Sequence, residues 1–419
     1  MAQVRSVSAI ASLLILTACS DISTSRSGNA EPSGLNPPNA QTPSPSESSS
    51  EASPPRPVLS SKLPRDTEPT LTEQEKADFA SSNEAFAIDL LGKLRALDAT
   101  QDARNFAFSP ASIATAMSMA YAGARGDTEK EIASVFHWSG SQDSTAKKFN
   151  WALLGYGARA DAALAAAKQR SGGSSPPDPA GFRLRFVNSV WTEKTLSVEA
   201  PFLDTLAVNY GAGVVPADFK GQADVERKAI NDWVSTETQK RIENLLPEGV
   251  ITDSTRAVLV NAVHLKLPWR TEMDEAGSDE PFTGVDGSTM QARFLSQSSN
   301  YRYFENSEAQ SVELPLMGND VAFMLVVPKA ELSAFEASLA TNLPAIRTGL
   351  AAATADKLTE VSLPKFSFTG ESVSLKNALE ALGMKNAFAH SADFSGITKA
   401  EKLGIADVVH KAMIGLDKH

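Results

Sequence analysis

The sequence predicts a single mixed α+β domain, and three observations carry that expectation. Helical apolar spacings cluster early, alternating or continuous apolar runs dominate the middle and end, and no second linker interrupts the chain after Leu71. Runs of helices followed by runs of strands favour α+β over a regular βαβ order. The 419 residues are 42% apolar and 21% charged, enough to build a large core.

Residues 1–18 carry one early cation, Arg5, and then the apolar Ile10, Ala11, Leu13, Leu14, Ile15 and Leu16. This reads as a short export signal, too short to span a bilayer. It runs into Leu16-Thr17-Ala18-Cys19, which resembles a bacterial lipobox. That likeness implies cleavage before Cys19, a diacylglycerol on its thiol and acylation of the new amine. Several acyl chains hold a membrane far better than one, at about 0.8 kcal/mol per buried CH₂. Ser20 follows the cysteine where an aspartate does not, which favours the outer membrane of a two-membrane cell. Residues 19–70 then hold ten of the 23 prolines among Ser, Thr, Gly and Asn. Such composition cannot offset ordering entropy and reads as a disordered tether.

The domain is expected over 71–419. Phe79, Phe86, Leu90, Leu94 and Leu97 recur at helical spacing. Ser109-Pro110 places a cap and a first-turn proline before Ile113, Met117 and Tyr121. Ala160–Ala180 is Ala-rich and then Gly/Ser/Pro-rich, a helix extended into a surface loop. Phe182, Leu184 and Phe186 alternate with Arg183 and Arg185, as do Val312, Leu314 and Leu316 with their neighbours, the mark of half-buried strands. Val321–Val327 is apolar throughout, a strand covered on both faces.

Composition excludes several functions. The net charge is 39 − 50 = −11 with no Lys/Arg block, so nucleic acid is not an expected partner. Cys19 is the only cysteine, which excludes an internal disulfide framework. His137, His264, His390, His410 and His419 show no metal-ligand spacing, and neither metal nor cofactor is expected. Gly155-Tyr156-Gly157 lacks the preceding strand a dinucleotide loop needs, and no nucleophile elbow, zinc motif or phosphate loop occurs. No catalytic residue is expected.

From Asn105-Phe106-Ala107-Phe108-Ser109-Pro110 onward the chain resembles the serpins, a large family of mostly serine-protease inhibitors. Ala122–Gly126 with Thr128, Asn188–Trp191, Asp218-Phe219, Ile230–Val234 with Thr238, and Val260–Lys266 with Trp269 follow in the family's order. Val312–Pro315, Leu363–Phe366, Leu382–Met384, Ala392–Gly396 and Val409–Ala412 complete the series. The resemblance covers roughly residues 75–417. It implies a monomeric inhibitor with mixed β-sheets and about eight or nine helices packed around them. Its partners would be serine proteases, with cysteine proteases as a second class. A cut reactive loop would insert as a new strand in the large sheet. The resemblance assigns the latch that holds this sheet shut to Ser109, Ser112, Asn261 and His410, and places Trp269 where the loop enters. Taken alone, these residues read as satisfied polar core groups and a packed aromatic.

Two departures from the family stand out. Leu267-Pro268 precedes Trp269 where the family has a glycine, which predicts a bulge or strand end. Lys418 stands at the place of the hinge glutamate, and the sequence ends at His419. The expectation is therefore a serpin-like domain without its reactive loop and last strands, so no scissile bond can be named. Two readings follow: an envelope-anchored inhibitor seen as an incomplete chain, or a truncated, non-inhibitory serpin-fold protein.

Overall fold

A computed structural model of the protein describes residues 2–5, 56–97, 105–172, 177–284 and 287–418. Its early part contributes β1 (Ala2–Arg5), α1 (Glu73–Leu97), α2 (Pro110–Gly123), α3 (Gly126–Val135) and α4 (Gln142–Ser171). Next come β2 (Arg183–Glu193), α5 (Ala200–Tyr210), β3 (Val214–Ala217), α6 (Phe219–Glu237) and β4 (Ala257–Lys266). A run of strands follows: β5 (Asp274–Thr283), β6 (Thr289–Glu305), β7 (Ala309–Pro315) and β8 (Ala322–Pro328). Then come α7 (Leu332–Ala337), α8 (Leu339–Ala352), β9 (Lys357–Pro364), β10 (Phe366–Thr369) and β11 (Val373–Ser374). The last elements are α9 (Lys376–Leu382), β12 (Val409–His410) and β13 (Met413–Leu416). This is the expected α+β order, with nine α-helices among the described residues.

Local chemistry accounts for the main elements. Ser109 caps α2 by accepting from the Ser112 amide at 3.3 Å, and Pro110 occupies the first turn, where no amide donor is required. α2 is buried almost all round, as a helix enclosed by others must be. α4 runs through the Gly155–Gly157 stretch to Gly172, whose φ of 57° ends it in the left-handed region. In β8 the residues through Val326 are buried, matching a strand covered on both faces.

Three strand groups organise the molecule. The largest sheet has the order β1-β9-β6-β7-β8, with β5 also on β6. A second sheet has the order β3-β2-β4, with β2 and β4 antiparallel from Arg183↔Lys266 to Thr192↔Ala257. The third group is a broken ribbon in which β10 pairs β13 and β11 pairs β12. The α2 and α6 sides of the second sheet carry separate cores. Leu259 packs among Phe86, Met119 and Phe149 on one side, and Val258 and Val260 pack with Phe219, Ile230 and Ile242 on the other.

Two findings concern the N-terminal region. Cys19 and residues 6–55 of the expected signal and tether lie outside the described residues, while Ala2–Arg5 pairs in parallel with β9, from Ala2↔Thr359 to Arg5↔Ser362. Residues 56–70, assigned by composition to the tether, instead pack on the domain, which therefore begins near Arg56 and not Leu71. Leu59 exchanges both backbone hydrogen bonds with Val214, at 2.7 and 2.8 Å, and so covers the edge of β3. Arg56 pairs with the buried Glu226. Arg65 Nε donates to Asn150 Oδ1 at 3.0 Å, and Asn150 Nδ2 donates to Asp66 O at 2.7 Å. Composition misses this docking because its partners are far away in sequence. Asn150 is fully buried, so Asn150→Ala should cost about 2–3 kcal/mol by urea denaturation, since its three side-chain hydrogen bonds, with Arg65, Asp66 O and Val208 O, are lost. Limited proteolysis should then cut within 56–70.

Candidate functional site

β4 is paired along one edge by β2, and β13 along one edge by β10. Among the described residues neither has a ladder on its other edge. A cleft of about 2310 Å³ is lined by Val263–Trp269 from the end of β4 and by Lys411–Asp417 from β13 and its approach, and it continues past β8 and α1. A strand edge without a ladder presents a row of amide and carbonyl groups, the chemistry with which an extended segment pairs.

Trp269 is 8% exposed, and its indole Nε1 donates to Asp417 O at 2.8 Å, tying the chain after β4 to the end of β13. The indole stands edge-on to Phe323, with centroids 5.8 Å apart, and its backbone forms a bridge with Leu316. β4 stops at Lys266, and Leu267-Pro268 lies outside any strand, which is the strand end that the proline predicts.

His410, in β12, is buried, and its Nε2 accepts from the amide of Ser109, a cleft-lining residue, at 3.0 Å. That bond puts the ring proton on Nδ1 and keeps the imidazole neutral. Burial pushes its pKa down to about 4. Ser109, Ser112 and His410 thus meet at the start of α2 through two hydrogen bonds. The backbone of Asn261 sits in β4 opposite Asn188; its side chain lies outside the described residues. Because His410 Nε2 is held by an amide and Ser109 Oγ by its capping role, this pair has no nucleophile–base geometry.

Two residues that the sequence leaves unmarked also face the cleft. Lys411 Nζ reaches from the β12–β13 side to Glu243 O at 2.8 Å. His264, on β4, is 7% exposed, and its Nδ1 has no hydrogen-bond partner. Isolated histidines carry no sequence signal of this kind, since only register places them beside an open edge.

The family model described as Serpin (serine protease inhibitor) matches residues 81–419. The chain belongs to the serpin family. An uncharacterized serpin-like protein of Thermococcus kodakarensis is 30% identical over 358 residues, covering 85% of this chain and 77% of that protein. The leukocyte elastase inhibitor of Sus scrofa is 30% identical over 356 residues, covering 81% of this chain and 86% of the inhibitor. The fold is similar to that of emu (Dromaius novaehollandiae) ovalbumin, with a TM-score of 0.70 at 22% identity over 81% of this chain and 87% of that one. The serpin pieces distant in sequence meet in space. The Arg125 guanidinium donates to Ala122 O and Ala124 O, and the Arg125 amide donates to Asp393 O at 2.8 Å. Gly396 packs against this group, and a Cβ there would lie 2.6 Å from the Arg125 guanidinium and displace it. Members of this family are protease inhibitors, generally not enzymes.

Proposed function

We propose that this serpin inhibits serine endopeptidases at the bacterial cell envelope, held there by lipid on Cys19. Where the full chain carries the reactive loop, the protease serine attacks one of its peptide bonds, the amine side leaves, and the acyl-linked loop enters the cleft as a strand between β4 and β13. The observation that supports this reading most is the pair of facing edges, each with a ladder on one side only among the described residues. An inserted strand forms roughly ten new ladder bonds at about 1 kcal/mol each, a driving force on the order of 10 kcal/mol. Ser109, Ser112, Asn261 and His410 act as the latch that parts first, and Trp269 marks where the loop enters. The inhibitor works as an exported monomer, its lipid in the outer membrane, and cysteine proteases form a second target class.

The test is incubation of protein from the native host with trypsin-, chymotrypsin-, elastase- and subtilisin-type proteases. The expected result is a complex that survives boiling in detergent and whose mass is the sum of the protease and the cleaved serpin. Simple turnover of the serpin, with no trapped protease in any of the four, would overturn the inhibitory reading. Release of the protein from membranes by detergent but not by salt is expected from the lipid anchor; extraction by salt alone would overturn it.

A further inference from the structure

The α6-facing side of the second sheet carries a group of cations that the latch and the loop-entry residue do not use. Register pairs Arg183 with Lys266 and Arg185 with His264, so these four positions share one face at one end of the sheet. Arg241, on the connection between α6 and β4, lines the same cleft as His264 and Lys266, and Lys411 approaches it from the opposite side. The groups that act electrostatically on His264 are Arg183, Arg241 and Lys266, all positive. The acids Asp178 and Glu237, nearby in sequence, are each engaged in an interaction, and neither acts on His264. His264 is more than nine-tenths buried, and its Nδ1 is enclosed with nothing to bond. Buried polar atoms are normally satisfied, and one left over at a functional cleft points to a missing partner. Cations around a neutral imidazole select an acceptor that is itself negative.

The position of the group narrows the ligand. His264 lies on β4, whose second edge has no ladder among the described residues, and a strand added there places one residue directly opposite it on the same face. Directly opposite residues in a sheet have Cβ atoms about 4.5–5.5 Å apart, within reach of a glutamate side chain. We propose that these residues form a carboxylate-reading subsite of the strand-accepting cleft, which takes a glutamate on the incoming segment opposite His264. Nδ1–H of His264 donates to one carboxylate oxygen, while Arg183, Arg241 and Lys266 surround the charge. The subsite selects among segments by register, since the neighbouring positions of an added strand point to the other face.

This inference rests on the strand-accepting reading of the cleft, and the experiment separates the two. The probes are acetylated peptides of about a dozen alternating Ala and Thr residues, with one glutamate moved through every position and a matched glutamine series. Affinity is measured for the full chain by fluorescence titration. The neutral peptide is expected to bind, and glutamate is expected to strengthen binding roughly tenfold at one position, or at two positions two apart, with no gain from glutamine. The protein's net charge of −11 opposes acidic peptides generally, so a gain confined to one register is not bulk attraction. Arg241→Gln with Lys266→Gln, both at exposed sites, should abolish the preference for the glutamate peptide over its matched glutamine peptide at that position. A flat glutamate series with normal neutral binding overturns the subsite alone. Failure of the neutral peptide to bind overturns the strand-accepting reading and this subsite with it.

Discussion

Lowering the pH from 6.5 to 4 should remove about 3 kcal/mol of folding stability through His410 alone. Its folded pKa is about 4, against an ordinary value of 6.5, because burial penalises the imidazolium. In that window the unfolded chain binds the proton and the folded chain does not, so stability falls as pH falls. The 2.5-unit difference at about 1.36 kcal/mol per unit sets the size. Below pH 4 both states are protonated and the loss stops growing. His264 adds in the same direction, its pKa lowered by burial and then by Arg183, Arg241 and Lys266. Carboxylates held low by partners, such as Asp224 beside Lys228 and Arg227, lose their contribution only at more acidic pH. Urea unfolding at pH 6.5 and 4.5 checks the effect. His410→Gln keeps an acceptor for the Ser109 amide and should lose most of the slope; an unchanged slope would exclude His410 as its source.

Trp269→Ala should destabilise the protein by about 3–5 kcal/mol, the usual cost of emptying a large buried aromatic site. The change removes packing against Phe323 and Leu316 and deletes the indole donor to Asp417 O. Trp269→Phe keeps most of the packing and loses only the hydrogen bond, so about 1 kcal/mol is expected. If the two variants unfold at the same urea concentration, the hydrogen bond and not the packing is what Trp269 contributes. The alanine variant should also loosen the junction of β4 and β13, seen as faster hydrogen exchange at Arg270 and Met273, whose amides bond Pro315 O and Lys418 O.

Much of the fold was legible before any coordinates. α1 and α2 follow from apolar spacing and from Ser109-Pro110, and β8 follows from an unbroken apolar run. Strand ends were less legible: Phe182, Leu316 and Val321 fall just outside β2, β7 and β8, because pairing and not apolar alternation sets where a ladder stops. The docking of 56–70 was misread, because Ser/Pro-rich composition says nothing of Val214 or Asn150 waiting to receive it. Within the site, Ser109, Ser112 and His410, far apart in sequence, meet at the start of α2. His264 was unreadable, since its environment consists of cations from β2, β4 and the chain after α6.

By itself the sequence determined the fold class, the family and the start of α2, because periodicity, caps and ordered motifs are local and additive. Tertiary structure alone decided that β4 and β13 line one cleft, each with a ladder on one edge only among the described residues, that Trp269 bonds the end of β13 and His410 the start of α2, and that residues 56–70 cover β3. Those are matters of which strand lies beside which. Strand neighbours are chosen by long-range burial and register, and a one-residue shift would turn each of these side chains to the opposite face.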